Sequence, residues 1–234
     1  MESLEQIRKA AYELLIVEGP AGQTERWLWD RACRIVRHIE AISRLPDLQE
    51  IRESVDLFAL ETAGYLSDSG LPVYAATRET GISLALLELG RPELRDFSLQ
   101  TIREKLTSIK QMDFLEKVCR IVSESDNRFT KLPEAQILSD ARNLEDMGLV
   151  GLVQDIRRCL LQGKGVSAIL ESWKRKIDYR YWEARLKESF HFPSVRKIAQ
   201  KRFSAAESCM RSLEMEDFGQ DLKNIVLESL GPIS

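Results

Sequence analysis

Residues 130–152 read TKLPEAQILSDARNLEDMGLVGL, and this stretch decides the fold. Ile137, Leu138, Ala141 and Leu144 recur at three- and four-residue spacing, the signature of one apolar helix face. Pro133 stands where a first helical residue belongs, and Glu134 follows it, suiting the positive end of a helix. Asp140 borders the apolar face and is expected to be drawn inward, where a carboxylate needs a cation, a metal or several donors. The same periodicity extends outward in both directions. Leu4, Ile7, Ala11, Leu14 and Leu15 mark a helix near the N-terminus, and Trp27, Ala32, Ile35, Val36 and Ile39 mark another. Gly and Pro punctuate the segments at Gly19-Pro20, Pro46, Gly70 with Pro72, Gly90 with Pro92, Pro133, Gly163 with Gly165, and Pro193. No segment alternates as a strand does. The sequence predicts an all-α protein of roughly eight to ten helices. Ser54 or Asp56 is expected to cap the helix carrying Leu57, Phe58 and Leu60. The polar run Arg91–Thr101 is expected to be a flexible connection.

Composition narrows the function. The chain has 234 residues, 44% hydrophobic and 30% charged, enough to bury a core without a metal or disulfide staple. Its four cysteines, Cys33, Cys119, Cys159 and Cys209, lie far apart and read as reduced. With no apolar run near the roughly 20 residues of a span and no secretory stretch, a cytoplasmic protein without membrane attachment is expected. Net charge is −3. From Arg157 to Arg202, however, there are 13 Lys or Arg against 4 Asp or Glu, leaving 21 basic and 33 acidic residues for the remainder. One reading of that asymmetry is a solvated surface. The other is a phosphate-facing surface built from Lys174, Arg175, Lys176, Arg180, Arg196, Lys197, Lys201 and Arg202. The segment WKRKIDYRYWEAR, 173–185, interleaves aromatics with basic residues as single-strand binders do. Trp173, Ile177 and Tyr181 at helical spacing favour core packing instead, and nucleic acid is not an expected partner.

Phosphate-binding loops, dinucleotide fingerprints, GxSxG, HExxH and EF-hand motifs are all missing. With only His38 and His191, a multi-histidine metal centre is excluded. His38 reads as a solvated helix residue, and His191 lies beside the helix-breaking Pro193.

Taken together, four segments resemble the HD-domain superfamily of metal-dependent phosphohydrolases. TERWLWDRACRIV, 24–36, is similar to the family's first helix, which begins with His and carries an Arg-Val-Trp-like segment. AGYLSDSG, 63–70, resembles AxLLHDIG, and TKLPEAQILSDARNLEDMG resembles TxEAxIxxDADRL(D/E)xxG. FPSVRKIAQKRFSAAESCM, 192–210, resembles the closing helix of the bacterial branch. The resemblance implies an all-α, HD-like helical bundle over residues 23–215, with residues 1–22 as a helix packed on the core and 216–234 as a tail. It places the ancestral metal site at Gln23, Ser67, Asp68 and Asp140, the first two standing where the family has histidine. Glu134, Arg142 and Glu145 are its expected neighbours, Arg142 replacing a family acid.

Serine and an amide are weak donors beside imidazole, so a transition metal should not be held well enough to make hydroxide. Arg142 would repel a cation and is expected to pair with Asp140 or Asp68 in its place. The leading expectation is a degenerate, inactive HD-domain protein, a binding or regulatory module for a phosphorylated small molecule or a protein partner, with no cofactor. The alternative is an active phosphohydrolase whose Asp68 and Asp140 hold Mg or another divalent cation. A helical interaction module that makes no use of the ancestral site is the third.

Overall fold

The computed structural model describes residues 4–19, 22–77, 83–87, 90–107, 111–222 and 225. Pro20 and the end of the expected tail lie outside them. The protein is all-α, with eleven α-helices among the described residues. That is one more than the upper expectation, because one short break, Tyr179–Arg180 between the helices Val166–Asp178 and Tyr181–Glu188, contains neither Gly nor Pro. Arg180 has a φ of 51°, the left-handed conformation that interrupts a helix.

The span expected as one domain, 23–215, instead divides into two compact units. One comprises Met1–Glu145 with Ser189–Arg196, and the other Asp146–Glu188 with Lys197–Ser234. The first unit holds α1 (Leu4–Leu15), α2 (Trp27–Ile42), α3 (Leu57–Leu66), α4 (Gly70–Ala76), α5 (Arg91–Leu106), α6 (Met112–Glu124) and α7 (Pro133–Glu145). Between α1 and α2, β1 (Val17–Glu18) pairs antiparallel with β2 (Thr24–Glu25), a ladder too short to show as alternation. Helix α1 buries Ile7, Ala11 and Leu15 and packs against α2 and α3.

The core is organised around α3, which also contacts α6 and α7. Its sequence LFALETAGYL is apolar on nearly every side, and residues Ala59 to Leu66 are all buried. A helix without a polar face belongs inside. Each fully buried Leu or Ile there contributes about 1.5–3 kcal/mol. The α2–α3 crossing is close because Gly64 has no side chain: a Cβ there would lie 2.6 Å from Ile39 Cδ1. Of the two expected caps, Asp56 serves: it accepts from the Ala59 amide at 3.0 Å and receives Lys117 Nζ at 2.9 Å. Ser54 Oγ instead donates to the Ile51 carbonyl.

Arg91–Thr101 is not a flexible connection; it lies within α5. Gly90 precedes that helix, Pro92 sits in its first turn, and Glu93 accepts from the Gly90 amide at 3.2 Å. Its buried face includes Ser98 and Thr101, so apolar spacing does not reveal it.

The second unit contains α8 (Leu149–Leu161), α9 (Val166–Asp178), α10 (Tyr181–Glu188) and most of α11 (Pro193–Asp217). Its core joins Leu152, Ile169, Ala206 and Met210. The face expected from Trp173, Ile177 and Tyr181 does not form, since α9 ends at Asp178 and both Ile177 and Tyr181 are exposed. Trp173 packs instead against Trp182 and Phe203, with ring centroids 5.4 and 6.1 Å away.

Candidate functional site

Asp68 lies just past the end of α3, beside Ser67, which terminates that helix. Two arginines from different helices converge on its carboxylate. Arg31 Nε of α2 donates to Oδ2 at 2.8 Å, and Arg142 Nη2 of α7 reaches Oδ1 at 3.4 Å. Arg142 also extends Nη1 toward Ser125 Oγ at 3.3 Å and Asp126 Oδ1 at 3.4 Å, beyond the end of α6. One helical turn from each arginine, Arg34 Nε donates to Glu145 Oε1 at 2.6 Å, and Glu145 is only 2% exposed. The α2–α7 seam is thus closed by charge pairs shielded from water, where charge-assisted hydrogen bonds are strong. As the sequence reading anticipated, Arg142 is paired rather than solvated, and its partners are Asp68 and Asp126.

Asp140 is engaged elsewhere. It is 0% exposed, and its two oxygens accept the backbone amides of His191 at 2.8 Å and Phe192 at 3.1 Å. Residues two apart on an α-helix point about 200° apart, so Asp140 and Arg142 cannot serve the same neighbour. Asp140 therefore anchors the segment leading into α11. Asn143 Nδ2 reinforces it by donating to the Ser189 carbonyl, and Asp47 accepts from the Ser194 amide and hydroxyl. Burial pushes the Asp140 carboxyl up to about 7, against the opposing pull of the two amides and Arg196. Burial, with the Arg128 charge, holds the His191 imidazole below its ordinary value. His38 is half-buried rather than solvated, its Nδ1 lying 3.3 Å from the Ala141 carbonyl.

The remaining expected residues separate. Gln23 is exposed on the hairpin, its amide nitrogen 2.5 Å from where a Cβ on Gly19 would sit. The place expected of it beside Asp68 is taken by Arg31, which the sequence reading did not single out. Ser67 is buried, with its hydroxyl directed to the Gly64 carbonyl and its own carbonyl accepting from Ser98 Oγ at 3.0 Å. Glu134 is buried and accepts the Asp56 amide at 3.0 Å, a contact that ties α7 to the start of α3.

This donor set does not fit a divalent metal. A cation at Asp68 would meet two guanidinium groups, Asp140 is committed to backbone amides, and Ser67 is turned to a carbonyl. Among the described residues no group of three or more His, Cys, Asp or Glu side chains is placed to hold a metal ion.

The basic candidates are distributed over two helices, with the exposed Arg180 in the break between α9 and α10. Lys174, Arg175 and Lys176 lie on α9, and Arg196, Lys197, Lys201 and Arg202 on α11. Lys176 is paired with Asp155 and lies over the Trp182 ring, whereas Arg196 donates to the Phe190 carbonyl. Lys174, Arg175, Lys197 and Lys201 are exposed. No described helix is long and apolar enough to cross a membrane.

No protein-family model and no curated protein matches the chain. Among solved structures it is similar to Bacillus subtilis YpgQ, at TM-score 0.59 and 17% identity over 91% of this chain and 94% of that one. The crystal structure of YpgQ in complex with ADP matches at TM-score 0.57, with the same identity and coverage. Lin1889 from Listeria innocua matches at TM-score 0.55 and 17% identity, over 92% of this chain and 97% of that one. What this chain shares with these proteins at such identity is its helical fold.

Proposed function

We propose that the chain is a degenerate HD-domain protein that does not carry out metal-assisted hydrolysis and serves in the cytoplasm as a binding or regulatory module. Its ligand is a phosphorylated small molecule or a protein partner. The observation that carries this reading is the Asp68 carboxylate held between Arg31 and Arg142. A metal that lowers the pKa of water needs anionic or neutral donors and an open position. Here positive charge already stands at the carboxylate, and it is fixed by two helices. The ligand class is supported by the exposed Lys197 and Lys201, one helical turn apart on α11, and by Lys174 and Arg175 on α9. The ADP complex of the similar YpgQ makes a nucleoside diphosphate a suitable probe.

The test is an assay of the full chain against p-nitrophenyl phosphate and nucleotides with Mg and Mn, alongside calorimetric titration with ADP. The reading predicts no turnover above that of Asp68→Ala. It also predicts salt-sensitive ADP binding that weakens in a Lys197→Glu, Lys201→Glu double variant. Turnover abolished by Asp68→Ala would establish an active phosphohydrolase and overturn the proposal. ADP binding indifferent to those charges would remove the phosphate half and leave the protein partner.

A further inference from the structure

A cavity in the first unit, of about 340 Å³, opens between the C-terminal end of α2, the turns that follow it and α3. Glu61 of α3 lines it and is 8% exposed, yet no hydrogen bond or ion pair joins its carboxylate to any described residue. Ser43 Oγ, on the α2 side of the same cavity, is also buried without a hydrogen-bond partner. Burial and the neighbouring Glu40 charge push the Glu61 carboxyl above its ordinary value, and Arg44 pulls it back. Both acids therefore stand where a cation would relieve them.

The other charged residues of the cavity are Arg44 and Arg52. Arg52 uses Nε on the Ser43 carbonyl at 3.1 Å, and neither guanidinium forms an ion pair with a described residue. Two acids and two arginines thus line one cavity with no close ion pair among them, Arg44 acting on Glu61 only at longer range. Leu48, Val55 and Leu57 complete it with hydrocarbon. A purely cationic ligand leaves the arginines unused, and a purely anionic one meets Glu61. The volume is at the small end of ligand pockets, which run from about 300 to 1,000 Å³.

We propose that this cavity binds a small zwitterion, a free α-amino acid with an apolar side chain. Its ammonium faces Glu61 and Glu40, its carboxylate faces Arg44 and Arg52, and its hydrocarbon lies on Leu48, Val55 and Leu57. This site is separate from Asp68 and does not depend on the fate of the ancestral metal site.

The test is calorimetric and ligand-detected NMR titration of the full chain with L-leucine. Two further probes each lack one charge: 3-methylbutylamine has no carboxylate, and 4-methylpentanoate has no ammonium. The expected result is saturable leucine binding, with each single-charge probe at least about tenfold weaker, and a loss of about tenfold or more in Glu61→Gln. Should Glu61→Gln fail to fold, judged by circular dichroism, the exposed Arg52→Gln decides: leucine binding falls while the amine binds as before. Absence of saturable leucine binding up to about 10 mM overturns the proposal. So does leucine affinity unchanged in the folded Glu61→Gln, or in Arg52→Gln where that variant decides, and so does an amine that binds as well as leucine.

Discussion

Asp68→Asn separates a charge hub from a metal ligand. In the structure Asp68 neutralises two guanidinium groups, at 2.8 and 3.4 Å, and all three side chains are largely shielded from water. Each pair at about 4 Å, with an effective dielectric constant near 20, carries about 4 kcal/mol of attraction before desolvation is subtracted. Asparagine keeps one acceptor oxygen but no charge, leaving two partly buried cations facing each other. Breaking a buried ion pair on one side costs about 3–5 kcal/mol, and residual solvent access brings the expectation to about 3 kcal/mol. For a chain of this size that lowers Tm by about 6–12 °C. Removing a carboxylate from an empty metal site does the opposite, since it relieves repulsion among ligands. The assay is thermal unfolding followed by circular dichroism, with and without added manganese. A variant as stable as the parent, or more stable, would refute the arginine-bound account. Stabilisation of the parent by manganese that is lost in the variant would refute it as well.

Three other outcomes follow from the packing. Asp140 holds its proton to about pH 7 in the folded chain and to about 3.8 when unfolded, so the folded state binds more protons between those values. Its contribution is therefore fully present below about pH 4, falls as pH rises through 7 and is flat above, with a total of at most about 4 kcal/mol; Asp140→Asn should flatten that part of the stability–pH curve, read by urea unfolding. Gly70→Ala should destabilise by about 2 kcal/mol or more in the same assay, because its Cβ would lie 2.5 Å from the Ser98 backbone nitrogen. Asp56→Ala removes the α3 cap and the Lys117 bridge together and should cost about 1–2 kcal/mol in urea unfolding.

Much of the helical architecture was legible because apolar periodicity reports which face of a helix is buried. The stripe from Ala32 to Ile39, the Pro133 start and the Asp56 cap are local signals, complete within one turn or two. What failed was non-local. Arg31 meets Asp68 across 37 residues, and nothing in TERWLWDRACRIV distinguishes that arginine from Arg26 or Arg34. Asp140 was expected to turn inward, and it does. Its partners, however, are backbone amides of His191 and Phe192, which no side-chain pattern encodes. Helical geometry alone would have warned that Asp140 and Arg142 diverge. The α5 error has a similar origin: Ser98 and Thr101 are buried polar positions, held by hydrogen bonds to the Ser67 and Phe97 carbonyls, and so interrupt the apolar stripe. The division into two units left no composition break, because α11 begins in one and continues in the other.

The central claim is that guanidinium groups, not a metal ion, balance Asp68. Elemental analysis of the full-length protein, after incubation with manganese, iron and zinc followed by desalting, tests it most directly. The account predicts far less than one equivalent of any of them, unchanged in Asp68→Ala. One tightly held equivalent that disappears with the Asp68 carboxylate would contradict it.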